Sequence, residues 1–420
     1  MHYIDEGHIL LFLLQVLVLL GGARTLGALC EAINIPALAG EMLAGILLGP
    51  TLFGRVAPTA QSWLFPLDET QWTMLDTASW LGVFFLLLSS GFHVNIRHAI
   101  RSGVAAMLIG VVGVLIPFII GYPIFRSLDT IYWGDQATPL SFALFLSVAG
   151  SITAISVVAR TLSDLKISKT PQGSLALSAC AVNDLFGWFL FAVVMSLTTT
   201  AHAMSAAELV GTVLGIIGFV FVCLAFGGKV LSAALRRVET TALAQPAAAQ
   251  TLIVSAGLLC GAITQWLGIH AILGFFLAGI MVGSAEDISQ DLRNSVSETL
   301  HAIFVPLFFA TLGLKIDFFI GLEVWPTVIF TAVAILGKFV GAWVGAKLGQ
   351  QPLNLSMLMG LIFIPGGAME IVVATLALEL QLIGQAIFVA IVFAALLSSI
   401  LAGPLIGIQA RRMGLGKGGN

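Results

Sequence analysis

Charged side chains are scarce in this chain: only 9% of its 420 residues are Asp, Glu, Lys or Arg. A soluble globular domain carries about 25% charged residues, so a chain this poor in charge and 59% hydrophobic is not a water-soluble fold. The 18 basic and 21 acidic groups leave a formal net charge of −3, too little to imply nucleic acid or an anionic lipid surface as partner. Cysteine is limited to Cys30, Cys180, Cys223 and Cys260, far apart and mostly within apolar runs. With no Cys-x-x-Cys spacing they read as buried thiols, and neither a resident metal nor a redox pair nor a cofactor is expected. The opening MHYIDEGH lacks the basic stretch of a secretory signal, and the first apolar stretch is already of spanning length, so no cleaved leader is expected. Short alternating segments of about ten residues are missing too, which excludes a membrane β-barrel.

What the chain has instead is a succession of apolar runs, each near the roughly 20 residues that cross a bilayer core. They predict an all-α polytopic membrane protein with thirteen transmembrane helices. Their cores fall at 8–32, 36–53, 73–94, 102–125, 139–163, 174–199, 206–235, 250–267, 270–284, 297–316, 324–348, 355–380 and 384–409. The short connections leave no room for a soluble domain, and GLGKGG in the tail follows no strand, so it is not a phosphate loop. An odd number of spans places the termini on opposite sides. Assigning alternate loops puts fourteen basic residues on the side of Arg411 and Arg412, against Arg55, Arg126 and Lys315 on the other. The positive-inside bias then predicts an outside N-terminus and a cytoplasmic C-terminus. Only Lys338 falls on neither side, because it lies inside a span.

Asp184 is one of two ionisable residues in awkward places. It sits in SACAVNDLFGWFLFAVVMS, an otherwise apolar segment. A carboxylate satisfied by neighbouring hydroxyls and amides is one reading, but acids inside spans more often mark ion or proton paths. Asn183 alone is an ordinary interhelix hydrogen-bonding residue; beside Asp184 it reads as part of one polar site. Lys338, in ILGKFVGAWVGAKL, lies about ten residues from the cytoplasmic end of its span, too deep to snorkel easily. It is either a structural tether to an amide or carboxylate or a partner for Asn183 or Asp184. Gly337, Gly341 and Gly345 recur every four residues beside it, a spacing that lets another helix backbone press close.

Two spans look interrupted. The fifth carries Gly150, Ser151, Ile152, Thr153 and Ala154 at mid-membrane, and the twelfth carries Pro365, Gly366 and Gly367 ahead of Glu370. Proline removes a backbone donor and glycine tolerates the angles of an unwound turn. Either could be a simple kink. Together they are the middle helices of spans 4–6 and 11–13, and paired interruptions in two halves of a chain point to inverted repeats around a midplane site. Glu370 reads equally as a cap on the second half-helix and as a group near an ion path. His93 and His98 flank a loop with Arg97 and Arg101 and read as solvated, with a pH-sensing role as the alternative.

The segments EMLAGILLGPTLFGR, SITAISVVARTLSDLKISKTPQGSLALSACAVNDLFGW, VPLFFATLGLKIDF and GGAMEIVVATLALE, in this order, resemble the monovalent cation/proton antiporters, in particular the cation:proton antiporter-2 branch. The resemblance runs from about residue 10 to residue 405. It implies two crossed discontinuous helices and a homodimer. Residues 1–98 would form scaffold helices 1–3, 99–200 core helices 4–6, 201–240 a linker helix, 241–320 scaffold helices 8–10, 321–410 core helices 11–13 and 411–420 a cytoplasmic tail. By matching position, Asp184 is the ion- and proton-binding carboxylate, Asn183 the residue before it, Ser151 and Thr153 part of the first unwound segment, and Lys338 the lysine before the second. The sequence departs from the pattern at Gly366, where many relatives carry a basic residue.

Such a protein is not an enzyme: no paired acids and no Ser/His pair occur at a workable spacing. The expected activity is exchange of Na⁺ or K⁺ for a proton across a cell (inner) membrane, electroneutral and one for one, by alternating access of a single carboxylate. One-for-one exchange follows from Asn183, which cannot titrate, with Lys338 expected to donate to its amide oxygen. A sodium-coupled organic-anion symporter of similar architecture is the alternative.

Overall fold

The structure, a computed structural model, describes residues 5–33, 35–94, 102–199, 206–240 and 246–415. Arg97, His98 and Arg101 lie outside the described residues, as does Lys417. Along the chain the main helices are α1 (Glu6–Ala32), α2 (Ala37–Leu48), α3 (Glu69–Phe92), α4 (Gly103–Arg126), α5 (Pro139–Ala149), α6 (Ile155–Asp164), α7 (Pro171–Thr199), α8 (Ala206–Val222), α9 (Gly228–Glu239), α10 (Pro246–Trp266), α11 (Ala271–Ser284), α12 (Gln290–Leu314), α13 (Val324–Leu348), α14 (Leu353–Ile362), α15 (Gly367–Glu379) and α16 (Gln385–Arg412). Helix falls on each of the thirteen expected segments. Among the described residues, ten stretches are long and apolar enough to cross a membrane, and α14 with α15, bent by 47°, makes an eleventh. Helices α5 and α11 are shorter apolar helices. The protein is therefore an all-helical, multi-span membrane protein.

The chain divides into two compact units, Met1–Leu86 with Ser295–Glu323, and Leu87–Asn294 with Val324–Asn420. In the first, Leu19, Ala23, Ala44, Leu75, Leu307 and Ala310 form a shared apolar core. Gln15 is buried there but satisfied: it donates to the Leu64 carbonyl at 2.7 Å and accepts from Gln71 at 2.8 Å. Lys315 pairs with Asp76 at 2.7 Å on the same unit.

In the second unit, helices α4, α5, α7, α13, α14, α15 and α16 pack on one another. The expected close approach of the glycine stripe is found, and its partner is α4. A Cβ on Gly341 would stand 3.0 Å from the Val112 carbonyl, and one on Gly345 2.6 Å from that of Leu108. Backbone meets backbone there, an approach that only residues without a side chain permit.

Both interruptions follow from local chemistry. Helix α5 opens on a capping box in which the Ser141 N–H donates to the Thr138 hydroxyl at 3.1 Å and the Thr138 N–H to the Ser141 hydroxyl at 2.8 Å. It ends at Ala149, and the backbone runs irregularly to Ala154 before α6 begins. Helix α14 stops at Ile362 because Pro365 has no N–H to continue the ladder. Gly367 then starts α15 with a φ of +55°, a left-handed conformation that glycine adopts without steric penalty.

Candidate ion-binding site at the helix breaks

An interrupted helix leaves backbone donors and carbonyls without intrahelical partners, and inside a membrane each needs one. Here the two breaks satisfy each other. The Thr153 hydroxyl donates to the Phe363 carbonyl at 2.8 Å. The Ala154 N–H donates to the Pro365 carbonyl at 3.1 Å. The Gly366 N–H donates to the Ser398 hydroxyl of α16 at 3.3 Å. Ser151, also fully buried, turns back to donate to the Val148 carbonyl at 2.9 Å. Gly150 packs against Phe330 and Ala334 of α13.

Asn183 ties α7 to this crossing. Its Oδ1 accepts from the Thr153 N–H at 3.1 Å, and its Nδ2 donates to the Gly110 carbonyl of α4 at 3.3 Å. Lys338 does not reach it, contrary to the expectation from sequence. Instead Lys338 Nζ donates to Glu370 Oε1 at 2.8 Å, with neither side chain exposed. The physical reason is twofold: both ends of the Asn183 amide are taken by backbone groups, and a buried ammonium gains far more from a carboxylate than from a neutral amide. Glu370 sits in the first turn of α15 and folds back over Gly366, where a Cβ would collide with its carboxylate. The missing side chain at Gly366 thus makes the room that Glu370 fills.

Asp184, the next residue on α7, is fully buried, and neither of its carboxylate oxygens has a hydrogen-bond partner. The Ile155 N–H, at the start of α6, lies beside it without hydrogen-bond geometry. An ionised carboxylate without donors in a low-dielectric interior costs several kcal/mol, a cost that a proton or a desolvated cation at this group would remove.

The structure thus brings Asp184, Asn183, Thr153, Ser151 and the two breaks onto one crossing, and places Lys338 and Glu370 together as a separate pair. Sequence reasoning missed the contributions of Gly110, Phe363 and Ser398. The first two act through carbonyls, which every residue has; Ser398 left a trace as one of two adjacent serines in the apolar run AALLSSILAG.

Crossed breaks beside a buried acid without hydrogen-bond partners, with ten or more apolar spans among the described residues, define a polytopic membrane protein with a polar site at mid-helix. The chain belongs to the sodium/hydrogen exchanger family, whose transmembrane region it matches over residues 16–411. It is 30% identical over 409 residues to the Na⁺/H⁺ antiporter NhaS4 of Synechocystis sp., covering 96% of this chain and 98% of that one. It is 27% identical over 413 residues to the K⁺/H⁺ antiporter 1 of Saccharomyces cerevisiae, covering 96% of this chain and 47% of the yeast protein. The chain therefore spans nearly all of the cyanobacterial relative and about half of the yeast one. The sodium proton antiporter MjNhaP1 from Methanocaldococcus jannaschii, solved at pH 8, shares the fold with a TM-score of 0.71 over 97% of this chain and 98% of that one, at 14% identity.

Proposed function

We propose that this protein is a secondary transporter that exchanges Na⁺ or K⁺ for a proton across a cell membrane. Asp184 binds the two in turn, and one cation crosses for each proton. The observation that carries the reading is the Asp184 carboxylate, fully buried with both oxygens unpartnered. Such a group holds a proton or coordinates a cation, but not both at useful strength. Competition for one site is enough for exchange, provided the carboxylate never crosses unoccupied. Its complete burial favours a carrier that moves over a pore that stands open, and relatives bearing the names Na⁺/H⁺ and K⁺/H⁺ antiporter support the same substrates.

The proposed working unit is a homodimer in the inner membrane with the N-terminus outside and the C-terminus in the cytoplasm. Thirteen helices, in two inverted repeats, cross the bilayer. The core segments 99–200 and 321–410 rock against scaffold segments 1–98 and 241–320, so that Asp184 faces each side in turn. Asn183 cannot titrate, and Lys338 is held by Glu370, which leaves Asp184 as the one group that trades its proton for a cation.

The test is transport in proteoliposomes loaded with a pH dye and challenged with Na⁺, K⁺ or Li⁺ in turn, with and without an imposed membrane potential. Proton flux on addition of a cation, with a final gradient independent of voltage, is the expected result. Voltage dependence of that gradient would overturn the one-for-one stoichiometry. Full exchange by an Asp184→Asn variant would overturn the site.

A further inference from the structure

Within the second compact unit, a cavity of about 490 Å³ lies between the last turns of α6 and α16. That is the size of a small-ligand site, roughly 300–1,000 Å³. Lys166 and Arg411 bring a positive charge from either side, and Leu165, Gly407 and Leu415 supply apolar wall. Both helices close with the same turn. In α6 the Ile167 N–H donates to the Leu162 carbonyl and the Lys166 N–H to that of Ser163, each at 2.9 Å. In α16 the Leu415 N–H donates to the Ala410 carbonyl at 2.9 Å and the Gly414 N–H to that of Arg411 at 3.0 Å. Such a turn needs a left-handed residue, which glycine supplies without steric penalty. Gly414 does so in α16 with a φ of +73°, but in α6 the residue is Lys166, with a φ of +57°. A side chain held where glycine is less strained suggests a use for that side chain. Among the described residues, neither Lys166 nor Arg411 makes an ion pair or a side-chain hydrogen bond.

We propose that this cavity holds the headgroup phosphate of an anionic phospholipid, bound between Lys166 and Arg411. What selects a lipid is the surface below the cavity. Ile400, Leu401, Pro404 and Ile408 of α16 are exposed, and steps of three and four residues carry that apolar stripe up to Arg411 on one helix face. Acyl chains lie along the stripe while the phosphate sits at its top. A free phosphate would use the two cations and leave the stripe bare; a phospholipid uses both. Asp164 is also on the rim, but Arg160 stands 3.9 Å from its carboxylate, so the mouth stays net positive. The small net charge of the whole chain does not oppose this, because attraction to a headgroup fades within about 8–10 Å and local charges decide it. Gly407 keeps the space open: a Cβ there would meet only Leu165 Cδ2, at 3.4 Å. Headgroup binding is independent of whether Asp184 exchanges ions.

The experiment is native mass spectrometry of delipidated full-length protein titrated with phosphatidylglycerol, phosphatidylcholine or inorganic phosphate. Wild type is expected to retain one phosphatidylglycerol per chain in preference to phosphatidylcholine, and inorganic phosphate should not displace it. One cation beside an anionic headgroup is worth about fivefold in affinity, so Lys166→Gln combined with Arg411→Gln should weaken retention by about 25-fold. Gly407→Leu fills the cavity without changing the charge and should weaken it too. Lys166→Gly should raise the unfolding temperature by relieving the turn yet weaken retention by about fivefold; a more stable protein with unchanged retention overturns the site. Lys229→Gln with Lys347→Gln removes the same charge from two other exposed lysines and should leave retention unchanged. An equal loss in that control means diffuse attraction and overturns the site, as does equal retention of phosphatidylcholine. Displacement by inorganic phosphate overturns the lipid as occupant.

Discussion

Lys338 and Glu370 stand 2.8 Å apart with neither side chain exposed to solvent. Removing one partner of such a pair strands a charge in the interior, at about 3–5 kcal/mol. Lys338→Met and Glu370→Gln should each lower the thermal unfolding temperature in detergent, as a loss of stability of that size requires. The double replacement by Met and Leu should recover most of the loss, because apolar side chains of similar volume carry no desolvation cost. Additive losses in the double variant would show that the two residues act separately.

Asp184 behaves differently. Its oxygens have no partners to lose, so Asp184→Asn, nearly the same in shape, breaks no hydrogen bond of the folded protein. The variant should keep its unfolding temperature or raise it, while cation-driven proton flux in proteoliposomes falls to the level of empty liposomes. A melt that collapses together with transport would make Asp184 a structural residue.

Asn183 links Thr153 on one side to Gly110 on the other. Asn183→Ala leaves a buried N–H and a buried carbonyl unsatisfied, at about 1–3 kcal/mol each, and should destabilise the protein measurably by thermal melting. Asn183→Asp adds a titratable acid next to Asp184. The expected outcome is exchange whose final gradient depends on membrane potential, read with a potential clamped by a potassium ionophore while Na⁺ is the exchanged ion.

The contact of α13 on α4 is tightest at Gly345, where an added Cβ would meet the Leu108 carbonyl at 2.6 Å and Ile109 Cα at 2.8 Å. These are backbone atoms and cannot step aside. Gly345→Val should therefore cost at least the 1–3 kcal/mol typical of overpacking and reduce the yield of monodisperse protein on size exclusion. Gly403→Ala, which meets nothing within 4 Å, should be neutral or stabilising by up to about 1 kcal/mol.

Much of the fold is written in the sequence, because a helix that must hide its whole backbone from lipid announces itself by length and apolarity. The breaks are equally visible: Pro365, Gly366 and Gly367, and Gly150, Ser151 and Thr153, place residues of poorer helix propensity where a straight helix has no use for them. Asp184 is visible as a lone acid. Partnerships are not. The pairing of Lys338 with Glu370 depends on how α13 crosses α15, and a lysine looks the same whichever carboxylate or amide it meets. The bonds from Thr153 to Phe363 and from Asn183 to Gly110 end on main-chain oxygens, which leave no mark in a string of side chains.

The hydrogen bonds that join the two interruptions, Thr153 to Phe363 and Ala154 to Pro365, have a mechanical consequence. They rivet the two kinked rods to each other at the point where each is weakest, so neither can swing without dragging its counterpart. In the proposed exchange cycle, opening a path to Asp184 is therefore expected to shift the pair together, with the give at joints elsewhere in the chain.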